Sequence, residues 1–221
     1  MEKEKKENLI VIRDNAHGID VLGKQSPDGT HKEYLWSREV WDDVTFMLKI
    51  LGYVVEPTST GVKEIGLTNR VLNGNSIAAK YPKQTPLFIS LHNDASKNDG
   101  TWGTARGVSI WTSKGYDKSD VFAEIMLKAL FRVVKETRHR VYSPKEGERD
   151  FEAGFTVIAG TKTVKPMYNG LLIECGFQDN KEDLRLLQDP QFKKKIADAI
   201  VDGIEDINTY LESLKTEKNE K

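Results

Sequence analysis

The 221-residue chain has one cysteine, Cys175, so it can form no internal disulfide and no multi-cysteine zinc or iron–sulfur site. It has no surplus of either charge, with 33 Lys and Arg against 34 Asp and Glu. Binders of nucleic acid or acidic membranes usually carry a strong basic excess, so no nucleic-acid partner is expected. No apolar run approaches the ~20 residues of a membrane-spanning helix, so no transmembrane segment is expected. Residues 1–7 are nearly all charged and only four apolar residues follow, which does not read as a signal peptide. What is present suffices for a core: 38% hydrophobic and 30% charged residues exclude global disorder and suit one domain with a well-solvated surface.

The apolar residues fall into two kinds of pattern. Leu9, Ile10, Val11 and Ile12 form a short, largely β-branched run, read as a strand buried on both faces of a parallel sheet. Similar runs recur at 53–55, 87–91, 108–111 and 171–173, each bounded by Gly, Pro or polar residues. Between them the period becomes helical. Val40, Val44, Met47, Leu48 and Leu51 share one face, as do Val121, Phe122, Ile125, Met126, Leu130 and Val133. Asp189 and Pro190 open a last helix whose stripe is Phe192, Ile196, Ile200, Ile204, Ile207 and Leu211. The alternation predicts a single α/β domain, a mostly parallel twisted sheet with helices on both faces. Residues 137–155 interrupt it and read as an excursion or lid-like loop. The charged ends, 1–7 and 213–221, are expected to be frayed.

In an open α/β sheet the functional crevice lies beyond the carboxyl ends of the strands. His17 follows the first strand by a short loop, His92 directly follows the run 87–91, and Glu174 directly follows 171–173. Glu33 precedes the helix of Val40 and Val44, so all four can gather at one rim. Two imidazoles with one or two carboxylates have the composition of a catalytic zinc site, in which three protein ligands leave a fourth position open. The spacing leaves His31, two residues before Glu33, as a competing ligand. It also leaves open that each His and Glu is merely a solvated or hydrogen-bonded surface group.

Several stretches resemble the zinc-dependent N-acetylmuramoyl-L-alanine amidases of bacteria and phages, of the amidase-3 type. They are Ile12-Arg13-Asp14-Asn15-Ala16-His17-Gly18, with Ala16 where Gly is commoner; Lys32-Glu33-Tyr34-Leu35; and Arg70 with Asn75 five residues on. The most specific are Phe88-Ile89-Ser90-Leu91-His92-Asn93-Asp94-Ala95 and Leu172-Ile173-Glu174-Cys175-Gly176-Phe177-Gln178-Asp179-Asn180. The resemblance implies that residues 8–212 are a catalytic domain holding one Zn2+ per chain through His17, Glu33 and His92, with Glu174 as the catalytic carboxylate. It implies hydrolysis of the amide between N-acetylmuramic acid and L-alanine in peptidoglycan, which is then the partner. Arg70 and Asn93 become candidates for substrate binding or for supporting the ligands, with a structural ion pair as the plainer role for Arg70.

Other readings of single residues are bland. Cys175 should point away from Glu174 into the core if the strand continues. His139 is expected in solvent, and Lys193, Lys194 and Lys195 on the wet face of the last helix. Asp14, Asp28 and Asp94 lie near the rim, where they can support a ligating histidine. Two rivals remain at the level of function: a zinc peptidase cutting a stem-peptide bond, and a wall-binding module of the same fold without turnover. An enzyme acting on the wall without a leader would reach it by host lysis or another export route, unless a leader has been removed.

Overall fold

The computed structural model describes residues 6–97 and 99–219. Six strands form one sheet in the order β2-β1-β3-β6-β4-β5. They are β1 (Leu9–Asn15), β2 (Val54–Pro57), β3 (Thr85–Asp94), β4 (Val108–Thr112), β5 (Phe151–Glu152) and β6 (Asn169–Phe177). The first four in that order run parallel, β4 lies antiparallel to β6, and β5 returns parallel to β4 at the edge. The α/β domain with a mostly parallel sheet is therefore present, with two reversed strands, β4 and β5, at one edge.

Helices α1 (Glu33–Ile50), α3 (Lys118–Val133) and α6 (Pro190–Asn219) cover one face of the sheet, while α2 (Leu67–Lys80) and the single turn α4 (Thr156–Ala159) cover the other. The short α5 (Lys181–Leu187) follows β6. Local chemistry explains where these helices start. Asp117 and Asp120 form a reciprocal capping box at α3. Asn180 accepts from the N–H groups of Glu182 and Asp183 at α5, and Asp189 accepts from Gln191 N at α6. The expected stripe of α6 is buried throughout, from Phe192 to Leu211. Gly203 lets α6 lie close to α3, because a Cβ there would meet Met126 Sδ at 2.4 Å.

The margins carry more structure than the apolar pattern shows. The last helix runs on through Asn219, beyond its apolar stripe, so 213–219 are helical; residues 1–5 and 220–221 lie outside the described residues. Residues 137–155 follow the sheet edge, where they supply β5. Arg140 pairs with Asp94 and lies over the rings of Phe151 and Phe177, and Arg149 pairs with Glu124 on α3. No helix among the described residues is long and apolar enough to cross a membrane.

Candidate metal centre

The face of the sheet under α2 and α4 changes character along its length. In β1 the residues facing that side are Ile10, Ile12 and then Asp14; in β3 they are Phe88, then Ser90 and His92; in β6 they are Leu172 and then Glu174. The apolar members are buried against Ile77, Val157, Ile158 and Tyr168. The polar members arrive together at the carboxyl edge because the strands are parallel and in register, Asp14 beside Ser90 and His92 beside Glu174. A cleft of about 340 Å³ opens there, lined among others by His17, His92, Glu174, Arg70, Leu67 and Phe155.

His17 reaches the cleft from the loop after β1, in a backbone conformation rare for a side-chain-bearing residue, with φ of 43°. The loop is held there from α1. Ala16 N–H donates to Ser37 Oγ, and the Arg38 guanidinium donates to the carbonyls of Ala16 and His17. Glu33, the first residue of α1, comes in from the opposite side of the sheet and is 1% exposed. One carboxylate oxygen, Oε1, lies 2.9 Å from His92 Nδ1 and 3.5 Å from His17 Nε2. One ligand atom from each of His17, Glu33 and His92 lies within 4.8 Å of the others.

The electrostatics suit a cation. Burial alone would push the Glu33 carboxyl up, but hydrogen bonds and charge from His17 and His92 outweigh it and hold the group well below the usual carboxylate range. Among the described residues no lysine or arginine pairs with this buried carboxylate. Two imidazoles and a carboxylate are the donor set expected for zinc, and three ligands leave room for a fourth. Glu174 is in the contrasting situation. Burial pushes its carboxyl well up, the nearby charges of Asp94 and Glu33 add to this, and its Oε2 is buried with no hydrogen-bond partner.

A family model described as N-acetylmuramoyl-L-alanine amidase matches residues 10–206. The chain belongs to the N-acetylmuramoyl-L-alanine amidase family. Among solved structures of the same fold, it is similar to an N-acetylmuramoyl-L-alanine amidase from Clostridium difficile 630, at 22% identity and a TM-score of 0.76, over 94% of this chain and 98% of that one. The amidase Ami1 from Mycobacterium smegmatis follows at 19% identity and a TM-score of 0.72, over 94% and 100% of the two chains. The catalytic domain of the CD27L endolysin targeting Clostridia difficile superposes with a TM-score of 0.61 at 19% identity, over 90% and 97%. A comparison with curated proteins found no match.

In this amidase-family chain the remaining candidates sort by their contacts. His31 turns away from the cluster: its Nε2 donates to Asn93 Oδ1 at 2.8 Å, and burial lowers its pKa. Asn93 serves the site through its backbone, whose N–H donates to Glu33 Oε1. Arg70 lines the cleft but is tied to Asp14, to Glu64 and to the Asn15 carbonyl, so the ion-pair role is the one its contacts display. Asn75 clamps the loop before β6 through Lys165 O and Met167 N. Asp28 caps its own turn through Ser26 and Thr30. Cys175 is buried in the opposite core, as the strand alternation requires. His139 is not in solvent as expected: it is half-buried and stacks on Phe131, ring centroids 4.1 Å apart.

Two contributors were not singled out in the sequence. Gln178 Nε2 donates to the second oxygen of Glu33, and nothing in the local pattern distinguishes it from other polar residues after β6. Ser90 lies 2.9 Å from His92 Nε2, and here a signal existed, because residues two apart on a strand share a face.

Proposed function

We propose that the chain is a zinc-dependent hydrolase of the amide bond joining N-acetylmuramic acid to L-alanine in peptidoglycan, with His17, Glu33 and His92 holding the metal and Glu174 moving the proton. The observation that carries this is Glu174. Its carboxyl stands beside His92 across the β3–β6 pair and lines the same cleft as the histidines, with one buried oxygen unpartnered. A binding module has no use for so costly a group.

Zinc in this donor set supplies Lewis acidity, polarising the scissile carbonyl and making a water molecule a better nucleophile near neutral pH. The protein's own groups supply the rest. Glu33 is clamped on both oxygens, by Asn93 N–H on one and Gln178 on the other, which keeps its carboxylate from swinging out of the cluster. Glu174, with its affinity for a proton raised by burial, is suited to take a proton from attacking water and return it to the departing alanine nitrogen. Leu67 and Phe155, half-exposed at the cleft, offer apolar surface to an incoming substrate. The setting is the cell wall, whether the chain serves in lysis or in remodelling.

Digestion of purified peptidoglycan tests this reading. Free peptides with a new L-alanine amino terminus should appear without new reducing sugar ends. New amino termini on D-amino acids or diamino acids, with alanine still joined to muramic acid, would make the enzyme a stem-peptide endopeptidase instead. Metal analysis should find one zinc per chain, lost in Glu33→Ala and kept in His31→Ala; the reverse pattern would reassign the third ligand.

A further inference from the structure

The side of His92 away from Glu33 is served by a chain of buried hydrogen bonds that neither metal binding nor proton transfer accounts for. It arises from the β1–β3 register. Asp14 stands beside Ser90, Ser90 is two residues before His92 on the same face, and Asp14 and Ser90 are both fully buried. Asp14 Oδ1 accepts from Arg70 Nη1 at 2.9 Å and from Thr58 Oγ1 at 2.5 Å, while Asp14 Oδ2 accepts from Ser90 Oγ at 2.7 Å. Ser90 Oγ in turn lies 2.9 Å from His92 Nε2.

Counting donors fixes the direction of the whole chain. A carboxylate paired with a guanidinium can only accept, so the single Ser90 proton is committed to Asp14. Ser90 then has only a lone pair to offer His92, and Nε2 must carry a ring hydrogen. Nδ1, which donates to Glu33 Oε1 at 2.9 Å, is then the nitrogen free to exchange its hydrogen for a metal ion.

We propose that Arg70, Asp14 and Ser90 form a positioning relay that sets the tautomer and ring orientation of His92, so that Nδ1 faces the metal ready to ligate. The part of this concerning zinc rests on the metal reading above; the part concerning the tautomer does not. On this view Arg70 acts on the site through two intervening side chains, and Ser90 and Asp14 are positioning residues.

Two measurements test it. Imidazole nitrogen NMR on the chelator-treated protein should show a hydrogen on His92 Nε2, whether or not Nδ1 also carries one. A His92 whose only ring hydrogen is on Nδ1 would overturn the relay without any variant being made. The second measurement is zinc affinity by chelator competition. Ser90→Ala should weaken it about 10- to 100-fold, the range found when partners of metal-ligating histidines are removed, and Ser90→Thr, which keeps the hydroxyl, should recover most of the loss. The melting temperature of each metal-free variant checks folding. Wild-type protein that binds zinc, with Ser90→Ala binding it as tightly, would reduce Ser90 to a satisfied core hydroxyl. Wild-type protein that binds no zinc would refute the metal reading, while the tautomer measurement would still decide the relay.

Discussion

The two faces of the sheet are built to different ends. The face under α1, α3 and α6 is apolar along most of the strands, interrupted in β1 by Arg13, which bonds to Asp42 and Thr45 of α1: Leu9 and Val11, Leu87, Ile89 and Leu91, Leu171, Ile173 and Cys175 all lie in one large core. The face under α2 and α4 begins the same way but turns polar within a few residues, at Asp14, Ser90, His92 and Glu174, and its core is much smaller. Stability is concentrated on one side and chemistry on the other, separated by a single layer of strands. Because alternate residues of each strand point to opposite faces, a change on one side need not disturb the other.

That separation can be broken most forcefully from the thick side. Phe122 on α3 is fully buried within the large core, among apolar side chains. Phe122→Ala should cost about 3–5 kcal/mol of stability in denaturant unfolding, while the zinc content and turnover of the molecules that remain folded stay as they were. Loss of zinc at unchanged fold would show that the two faces are coupled after all. A somewhat smaller effect is expected on the thin side. Glu174→Gln keeps shape and polarity but cannot hold a transferable proton, so turnover should fall ~100-fold or more, equivalent to about 2.7 kcal/mol in the barrier. Zinc should be retained and the melting temperature should not drop; loss of the metal would make Glu174 a ligand.

The smallest effect is a pH dependence at the start of α3, which serves as a control for both faces. Burial, reinforced by the Asp150 carboxylate, raises the Asp120 pKa to about 6 from its ordinary value of 3.8. Below both values the folded and unfolded chains are equally protonated. Between them the unfolded chain releases a proton that the folded chain keeps, so stability falls as pH rises from about 4 to 6. Asp120→Asn should flatten the melting temperature across that window, and an unchanged slope would show that Asp120 is not its source.

How much of the molecule is legible in the chain follows from the same contrast. The thick-side helices and the strands buried on both faces stand out because a long apolar period rarely arises without a buried face to match it. Helix α2 is harder to see. Its buried positions include Arg70 and Gly74 as well as Val71, Ile77 and Ala78, so its stripe is interrupted. The two residues of β5 carry no period at all, and the reversal of β4 depends on the path of the chain after β3, which local composition does not encode. At the site, alternation alone places His92 and Glu174 at the right edge. The choice of Glu33 over His31 comes from family resemblance, because its physical reason, the Asn93 amide holding His31 aside, is a contact between residues distant in sequence. His139 misleads because its flanking arginines suggest solvent, whereas its ring is matched to Phe131 on the neighbouring helix.

The position of β6 has a consequence for the order in which the molecule becomes competent. His17, Glu33 and His92 all lie within the first three strands and their connections, whereas Glu174 is on the sixth strand, which inserts between β3 and β4 in the middle of the sheet. Joining β3 to β6 closes a long loop, a slow kind of event in folding. A chain still emerging from the ribosome, or paused part-way through refolding, carries every side chain proposed to hold the metal yet lacks the carboxyl proposed to work beside it. The last strand to be made is also a central rung of the sheet, so on the proposed role of Glu174 hydrolytic competence should arrive late, and the return of activity during refolding should time the docking of that strand.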